Sequence, residues 1–297
     1  MRDCVSRLRV VVAEPHGFCT GVRRAIAMAE KALADASARG GERLYCLHEL
    51  VHNKLVVDAL AEKGMVFVGA LSEVPDGGVV LFSAHGVSPA VRAEAERRGL
   101  SVIDATCVFV GKVHENVRHY AGEGCTVLLI GRRTHDEVLG VAGEAPDSVR
   151  VVESVDDVEN VDVPDPAKVA VLTQTTLAAY QVEPVIAAIR RRFPLACIPD
   201  RSGICFATTE RQEAVRRLAR ESEVVLVLGS STSANSNRLV DVAREAGARA
   251  ELLPDAAAVR AFVADGGLAD VACVGVTAGA STPEYVVEEV VSFLGGL

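Results

Sequence analysis

The stretches HGFCTGV (residues 16–22), DATCVFV (104–110) and SGICFAT (202–208) decide the fold, because each places one cysteine between a strand-like segment and an amphipathic helix. The cysteines are Cys19, Cys107 and Cys205, which are separated by 88 residues (19 to 107) and 98 residues (107 to 205). The thiols of a zinc ribbon or a ferredoxin loop lie within a few residues of one another, so the spacing excludes both. It indicates three similar lobes that each bring one thiolate to a common centre.

The composition indicates a chain with ample material for packed cores. It has 297 residues, of which 49% are hydrophobic. The formal net charge is −9, and acidic and basic residues alternate along the helices, so we expect no nucleic-acid binding. The apolar runs are far shorter than the ~20 residues of a membrane span, and the N-terminus lacks the features of a signal peptide. We therefore expect a cytoplasmic protein, not bound to a membrane, whose eight cysteines are not paired in disulfides.

Hydrophobic periodicity predicts short strands that alternate with helices, the pattern of parallel sheets in α/β proteins. The same order of parts follows each of the three cysteines: a helix, then two strands that end in polar residues. We predict three α/β lobes over residues 14–107, 108–204 and 205–297, with a strand in residues 1–13 completing the third lobe. Around a pseudo-threefold axis, such lobes would form a trefoil.

The predicted helices after the cysteines cover residues 22–34, 111–121 and 209–220. The predicted strands cover residues 8–13, 44–47, 65–68, 79–82, 101–103, 126–130, 149–152, 169–172, 195–198, 224–228, 250–253 and 271–276.

Three cysteines without a matching fourth ligand are too few for a structural zinc site, which takes four protein ligands. They suit a four-iron cluster in which cysteine holds three irons and the fourth iron stays open. The helix after each cysteine would add backbone N–H donors and a positive dipole end that favour a negatively charged cluster. The alternative for any single cysteine is a structural role in a core. We interpret the other five as core residues or as incidental; they are Cys46, Cys125, Cys197 and Cys273, within or beside strands, and Cys4, in an N-terminal tail.

Polar side chains follow the strands of all three predicted lobes, where parallel sheets bind their ligands. Imidazole, hydroxyl and amide groups near helix starts, together with backbone N–H groups, suit a small anion such as a phosphate. Helix capping is the alternative for each residue taken alone. The candidates are His52, His85, His135, Ser233, Asn235 and Ser281.

Glu137 is the candidate proton donor, since it lies two residues after His135. A carboxyl group in a closed pocket beside a phosphate has a raised pKa and keeps its proton near neutral pH. Thr175 offers a hydroxyl that could orient or relay this proton. The alternative is a solvated glutamate in a first helical turn. We assign no role to His114 and His119, which we expect on a helix face.

Together these motifs resemble 4-hydroxy-3-methylbut-2-enyl diphosphate reductases, the IspH/LytB family of the methylerythritol phosphate route to isoprenoids. The resemblance implies a trefoil of three α/β lobes around a [4Fe–4S] cluster that Cys19, Cys107 and Cys205 hold, with one open iron. It runs in order along nearly the whole chain, through HGFCTGVRRAI, LVHNKLVV, FSAHGVS, DATC, HDEVLGVAGE, LTQTTL, CFATTERQEAV, GSSTSANSNRL and GVTAGASTPE.

The resemblance also implies an activity, the two-electron, two-proton reductive dehydroxylation of an allylic diphosphate to isopentenyl and dimethylallyl diphosphate, the last step of that route. It implies Glu137 as the proton source, Thr175 next to the substrate hydroxyl, and the six His, Ser and Asn candidates as ligands of the diphosphate. We expect electrons from a ferredoxin or a flavodoxin, because the chain carries no nicotinamide or flavin motif. The alternatives are a diverged paralogue that acts on a related allylic diphosphate, a non-catalytic iron–sulfur redox sensor, and a zinc hydrolase.

The chain departs from the family pattern at three positions. Val108 stands where the family usually has proline after the second cysteine, and Asp136 replaces proline between the histidine and the glutamate. Ala234 replaces a serine between Ser233 and Asn235, so one hydroxyl is lost while the backbone N–H of the substrate site remains. No cysteine ligand or acid is lost, so we expect activity.

Overall fold

A computed structural model gives the structure of residues 8–38, 41–199 and 203–297. Cys4 and the first seven residues of the predicted N-terminal segment lie outside these ranges. The strands are β1 (Arg9–Val12), β2 (Leu44–Leu47), β3 (Met65–Val68), β4 (Val79–Phe82), β5 (Ser101–Asp104), β6 (Thr126–Ile130), β7 (Val149–Val152), β8 (Val169–Thr173), β9 (Val224–Leu228), β10 (Arg249–Leu253) and β11 (Cys273–Ala278).

The α-helices lie between these strands and after the last one. They are α1 (Thr20–Ala38), α2 (Lys54–Glu62), α3 (Pro89–Arg97), α4 (Val108–Gly122), α5 (Asp136–Ala142), α6 (Val155–Asn160), α7 (Ala179–Arg192), α8 (Phe206–Glu221), α9 (Ala234–Glu245), α10 (Ala256–Ala264) and α11 (Glu284–Leu294). A 3-10 helix covers Leu71–Glu73. Within the described ranges, no helix is both long and apolar enough to cross a bilayer.

The strands form three small parallel sheets, which confirms the predicted α/β class with three parallel sheets. Their orders are β3-β2-β4-β5, β7-β6-β8 and β10-β9-β11-β1. In each sheet a central strand has the next strand of the chain on one side and the one after that on the other. β1 pairs with β11 as β5 pairs with β4, so the first and third sheets have equivalent strand orders.

The central strands β2, β6 and β9 are buried along their whole length, as expected for parallel strands with helices on both faces. Every residue of β6 is buried. Its side chains alternate between two separate cores, as the twofold period of a strand requires. Leu128 and Ile130 pack into one core, and Val127 and Leu129 into the other.

One predicted strand is wrong. Residues 195–198 form a single bridge, in which the Cys197 N–H donates to Val169 at 2.8 Å and the Cys197 carbonyl accepts from Val171 at 2.9 Å. Prolines precede and follow this segment at positions 194 and 199, and a proline has no N–H to donate to a ladder. The second sheet therefore stops at β8.

The helices that follow the three cysteines begin earlier than predicted. They start at Thr20, Val108 and Phe206, directly after Cys19, Cys107 and Cys205, and therefore two or three residues before the predicted starts. Helix propensity does not mark these boundaries, because glycine, valine and phenylalanine are weak helix formers. Each cysteine thus stands at the N-terminus of a helix.

By contacts, the chain divides into two compact units. Of the described residues, unit 1 comprises 8–19, 52–56 and 206–297 and contains the sheet β10-β9-β11-β1. Unit 2 comprises 20–38, 41–51, 57–199 and 203–205 and contains the other two sheets. The lobe boundaries 14–107, 108–204 and 205–297 stay a prediction.

Candidate functional site

The three cysteines share one backbone contact, which recurs in each third of the chain. Each cysteine N–H donates to a carbonyl that lies two residues beyond the end of a strand, at β4, β8 or β11. The pairs are Cys107 with Ala84 at 3.0 Å, Cys205 with Thr175 at 3.1 Å and Cys19 with Ala280 at 3.1 Å. A contact that recurs at the same offset beyond a strand of each of the three sheets indicates a common role for the three cysteines.

The surroundings of the three sulfur atoms fit an iron–sulfur cluster. All three cysteines are partly exposed, so their side chains are not core filler. Each stands at the N-terminus of a helix, where the dipole places partial positive charge that favours an anionic group. By contrast, Cys46 and Cys273 are buried, as predicted for structural cysteines, and burial raises the pKa of Cys46 to about 12. Cys125 is partly exposed and Cys197 is exposed, so these two are not core residues.

Glu137 lies in the first turn of α5 and is buried, with 2% of its surface exposed. Its Oε1 accepts from the Thr175 N–H at 2.6 Å, and its Oε2 accepts from the Thr175 hydroxyl at 2.8 Å. Burial raises the pKa of Glu137 to about 7, against the opposing effect of the two hydrogen bonds from Thr175. A carboxyl group with this pKa can hold and release a proton near neutral pH.

His135 caps α5, and this cap fixes the start of the helix that carries Glu137. Its Nδ1 accepts from the Glu137 N–H at 3.2 Å. The ring of His85 stands edge-on to the ring of His135, with 5.7 Å between the ring centroids. The Ser83 hydroxyl lies 3.3 Å from His85 Nδ1. Unit 2 thus brings together four of the predicted site residues: His85, His135, Glu137 and Thr175.

Unit 1 places Ser233, Ala234 and Asn235 at the start of α9 and Ser281 in the loop after β11. Ser233 is the N-cap of α9, and its hydroxyl accepts from the Ser236 N–H at 3.2 Å. Asn235 is 5% exposed, and within the described chain neither its Oδ1 nor its Nδ2 has a hydrogen-bond partner. The Ser281 hydroxyl donates to the His52 carbonyl at 3.1 Å, which holds the His52 segment in the same unit.

Two glycines let the strand ends of unit 1 approach the start of α9. A Cβ on Gly229 would lie 2.3 Å from the Ser236 hydroxyl, and one on Gly279 would lie 2.1 Å from it. Both distances are too short for any larger residue without rearrangement. The start of α9 therefore packs directly against the ends of β9 and β11, where the positive end of the helix dipole favours an anion.

Arg211 is a buried residue of this region that the sequence analysis missed. It is 5% exposed, and its Nε and Nη2 donate to the Gly17 carbonyl at 3.2 and 2.8 Å, two residues before Cys19. Helical periodicity could have indicated its burial, because Arg211 lies between Thr208 and Val215 on the buried face of α8. Arg211 thus fixes the loop that leads into Cys19.

His114 and His119 both lie on helix α4, as expected, but their surroundings differ. His114, to which no role was assigned, is 5% exposed, and its Nδ1 lies 2.7 Å from the Glu144 carboxylate. The side chain of His119 is 61% exposed.

Comparison with known proteins shows similarity over nearly the whole chain. The family model described as LytB protein matches residues 10–295. The 4-hydroxy-3-methylbut-2-enyl diphosphate reductase of Streptomyces coelicolor is 46% identical over 286 residues, which cover 96% of this chain and 82% of that protein. The enzyme of the same name from Escherichia coli is 47% identical over 290 residues, which cover 97% of this chain and 89% of that protein.

The fold is similar to that of a solved E-1-hydroxy-2-methyl-but-2-enyl-4-diphosphate reductase from Plasmodium falciparum. The TM-score is 0.90 at 34% identity, with 97% of this chain and 88% of that chain covered. The match to the family model and the identity to curated relatives cover nearly the whole sequence. The chain therefore belongs to the LytB protein family.

Proposed function

We propose that this protein is an iron–sulfur reductase that converts 4-hydroxy-3-methylbut-2-enyl diphosphate to isopentenyl and dimethylallyl diphosphate. The observation that carries the proposal is the position of Thr175 between a cysteine and an acid. Its carbonyl accepts from the Cys205 N–H, while its own N–H and hydroxyl donate to Glu137. One residue thus ties a candidate cluster ligand to a buried carboxyl group that titrates near neutral pH.

Cys19, Cys107 and Cys205 would hold a [4Fe–4S] cluster with one open iron. Their partial exposure, their places at helix N-termini and their shared backbone contact support this assignment. When bound, the cluster would supply the two electrons and a Lewis-acidic iron next to the substrate hydroxyl.

The remaining candidates would bind and orient the diphosphate. His52, His85 and His135 offer imidazole N–H donors, and Ser233, Asn235 and Ser281 offer hydroxyl and amide groups. Ala234 contributes its backbone N–H as the first residue of α9, whose positive end favours an anion. The unpaired amide of Asn235 supports this role, because a buried polar group without a partner in the free protein gains one when the ligand binds.

Glu137 would deliver the proton that turns the leaving hydroxyl into water. The overall reaction replaces a C–OH bond with a C–H bond and consumes two electrons and two protons for each water released. The carboxyl group must be protonated at Oε1 or Oε2 to donate, and its raised pKa keeps a large share in that form at neutral pH. The Thr175 hydroxyl, at 2.8 Å, orients the carboxyl group.

The electrons would come from a ferredoxin or a flavodoxin in the cytoplasm, where thiols stay reduced. A small protein carrier fits the one-electron chemistry of an iron–sulfur cluster.

The decisive experiment is an anaerobic assay of the reconstituted protein with 4-hydroxy-3-methylbut-2-enyl diphosphate and a chemical reductant. We expect both products. Iron and sulfide analysis tests the alternative of a zinc enzyme. An intact cluster without turnover would contradict the proposal and favour a paralogue or a sensor.

The cluster ligands are tested by Cys107→Ser, with Cys197→Ser as the matched control. Cys197 is exposed and lies outside the proposed ligand set. We expect Cys107→Ser to lose the visible absorbance of the cluster and Cys197→Ser to keep it. An unchanged spectrum for Cys107→Ser would refute the ligand assignment.

A further inference from the structure

His114 and Glu144 form a buried pair outside the proposed set of ligands and acids. Their side chains are 6% and 5% exposed, and His114 Nδ1 lies 2.7 Å from Glu144 Oε1. Arg118 Nη1 lies 2.9 Å from the same oxygen. A buried carboxylate is costly unless it is paired, so these contacts fix Glu144 in place.

The pair connects two helices that carry candidate site residues. His114 lies on α4, the helix that begins directly after Cys107, and Glu144 lies two residues after the end of α5, which carries Glu137. The end of α5 also packs closely against the N-cap of α3, since a Cβ on Gly143 would lie 2.4 Å from the Ser88 side chain. A shift of α5 relative to α4 would therefore break the contact between His114 and Glu144.

The other nitrogen of His114 faces the loop that carries His85. A Cβ on Gly86 would lie 2.8 Å from His114 Nε2, and Gly86 has a φ of +77°, a conformation that favours glycine. The Gly86 carbonyl oxygen in turn would lie 3.3 Å from a Cβ on Gly140 of α5. The ring thus packs directly against this loop, and the loop against α5.

The imidazole is held in one protonation state and one orientation. Burial lowers the pKa of His114, although the contact with Glu144 opposes this shift, so the ring is neutral at physiological pH. The hydrogen bond to Glu144 assigns its single proton to Nδ1. In the described chain, Nε2 is buried without a hydrogen-bond partner.

We propose that His114 and Glu144 are a positioning pair that holds the His85 loop and the helix of Glu137 in place against the helix that follows Cys107. The proposal rests on the proposed function and deepens it, because those elements carry two diphosphate ligands and the acid. His114 acts through His85, His135 and Glu137 and is not itself a catalytic residue.

The test compares His114→Ala with His114→Asn in the reconstituted protein. Asparagine retains a donor near the position of Nδ1, whereas alanine removes it. We expect His114→Ala to keep the cluster absorbance, to raise KM for the allylic diphosphate about tenfold or more and to lower kcat, because small misplacements of binding groups are costly. His114→Asn should recover most of both losses. His119→Ala, on the exposed face of the same helix, should match the wild type.

A role in packing alone predicts a different result. It would lower the melting temperature of His114→Ala while KM and kcat per cluster stay at wild-type values, and that outcome would overturn the proposal. If His114→Ala does not fold, Glu144→Gln and Glu144→Met replace it. Glu144→Gln keeps the acceptor for His114 Nδ1 and should behave like the wild type. Glu144→Met removes this acceptor and should raise KM and lower kcat, as we expect for His114→Ala. Equal KM values for these two variants would also overturn the proposal.

Binding of inorganic pyrophosphate, measured by calorimetry, separates this proposal from the proposed function. We expect His114→Ala to weaken this binding about tenfold. If His114→Ala binds pyrophosphate more weakly than the wild type but the wild type turns over no substrate, the proposed function fails and the positioning pair stands. If turnover is normal and neither KM nor pyrophosphate binding changes in His114→Ala, the pair fails and the function stands.

Discussion

At the scale of single residues, Glu137 shows how burial and hydrogen bonding compete for one proton. Two donors from Thr175 favour the carboxylate, while removal from water favours the neutral acid. The pKa of about 7 shows that burial is the larger effect. An acid with this pKa is well matched to proton transfer at neutral pH.

Glu137→Gln should lower turnover by about 10²-fold or more, the usual contribution of a positioned general acid. Glutamine is nearly isosteric and can still accept from Thr175, so the cluster absorbance and the melting temperature should change little. Anaerobic steady-state kinetics of the reconstituted variant provide the measurement. Turnover close to the wild-type rate would remove Glu137 from the mechanism.

Thr175→Val should move the alkaline limb of the pH–rate profile to higher pH. As a proton donor Glu137 would act in its protonated form, so we expect the rate to fall as pH rises through its pKa of about 7. The hydroxyl hydrogen bond from Thr175 lowers this pKa, and its loss therefore raises it. Thr175→Ser keeps the hydroxyl and should keep the limb in place. A limb that moves to lower pH in Thr175→Val would contradict this account.

At the scale of elements, the start of α9 carries a buried polar group that destabilises the fold but suits the binding of a ligand. Asn235 buries an amide without a partner in the described chain, at a cost of about 1–3 kcal/mol. Asn237, two residues later, donates to the Ser231 and Ser233 carbonyls, both at 2.8 Å. The two asparagines of one helix turn thus have different roles.

Asn235→Ala should weaken pyrophosphate binding about tenfold or more without lowering the melting temperature, because it removes a ligand group and an unpaired buried amide together. Asn237→Ala should do the reverse and cost about 1 kcal/mol of stability while binding is retained. Calorimetry and thermal unfolding of both variants provide the measurements. A large loss of stability in Asn235→Ala would show that its amide has a structural partner.

The sequence predicted most elements because the apolar runs of parallel strands are short and clearly bounded. It failed at residues 195–198, where the apolar pattern is present but flanking prolines limit the ladder to one bridge. The contact between Glu137 and Thr175 was predictable, since both follow strands of one sheet at its carboxyl end. The pair of His114 and Glu144 was not, because helical periodicity places a residue on a helix face and does not reveal which side chain beyond that helix it meets.

At the scale of the whole molecule, one pattern accounts for both the sheets and the cysteines. The three sheets share a strand order, and in each third of the chain a cysteine N–H is bound two residues beyond a strand end. The second sheet keeps this contact through Cys205 although its predicted fourth strand is reduced to one bridge. The cysteine contact is therefore more uniform than the sheets that support it, as a shared ligand would require.

A shared ligand held from three distant parts of the chain should stabilise the fold as a whole. The cysteines are separated by 88 residues (19 to 107) and 98 residues (107 to 205), so an unfolded chain does not present them together. A ligand that binds the folded state alone stabilises it by about 4 kcal/mol when its concentration is a thousand times its Kd. We therefore expect removal of the cluster by chelation to lower the melting temperature by about 6 °C, measured anaerobically by calorimetry. Cys107→Ser should show the low value with or without iron and sulfide. Equal melting temperatures for the loaded and stripped wild type would mean that the cluster does not join the three cysteines.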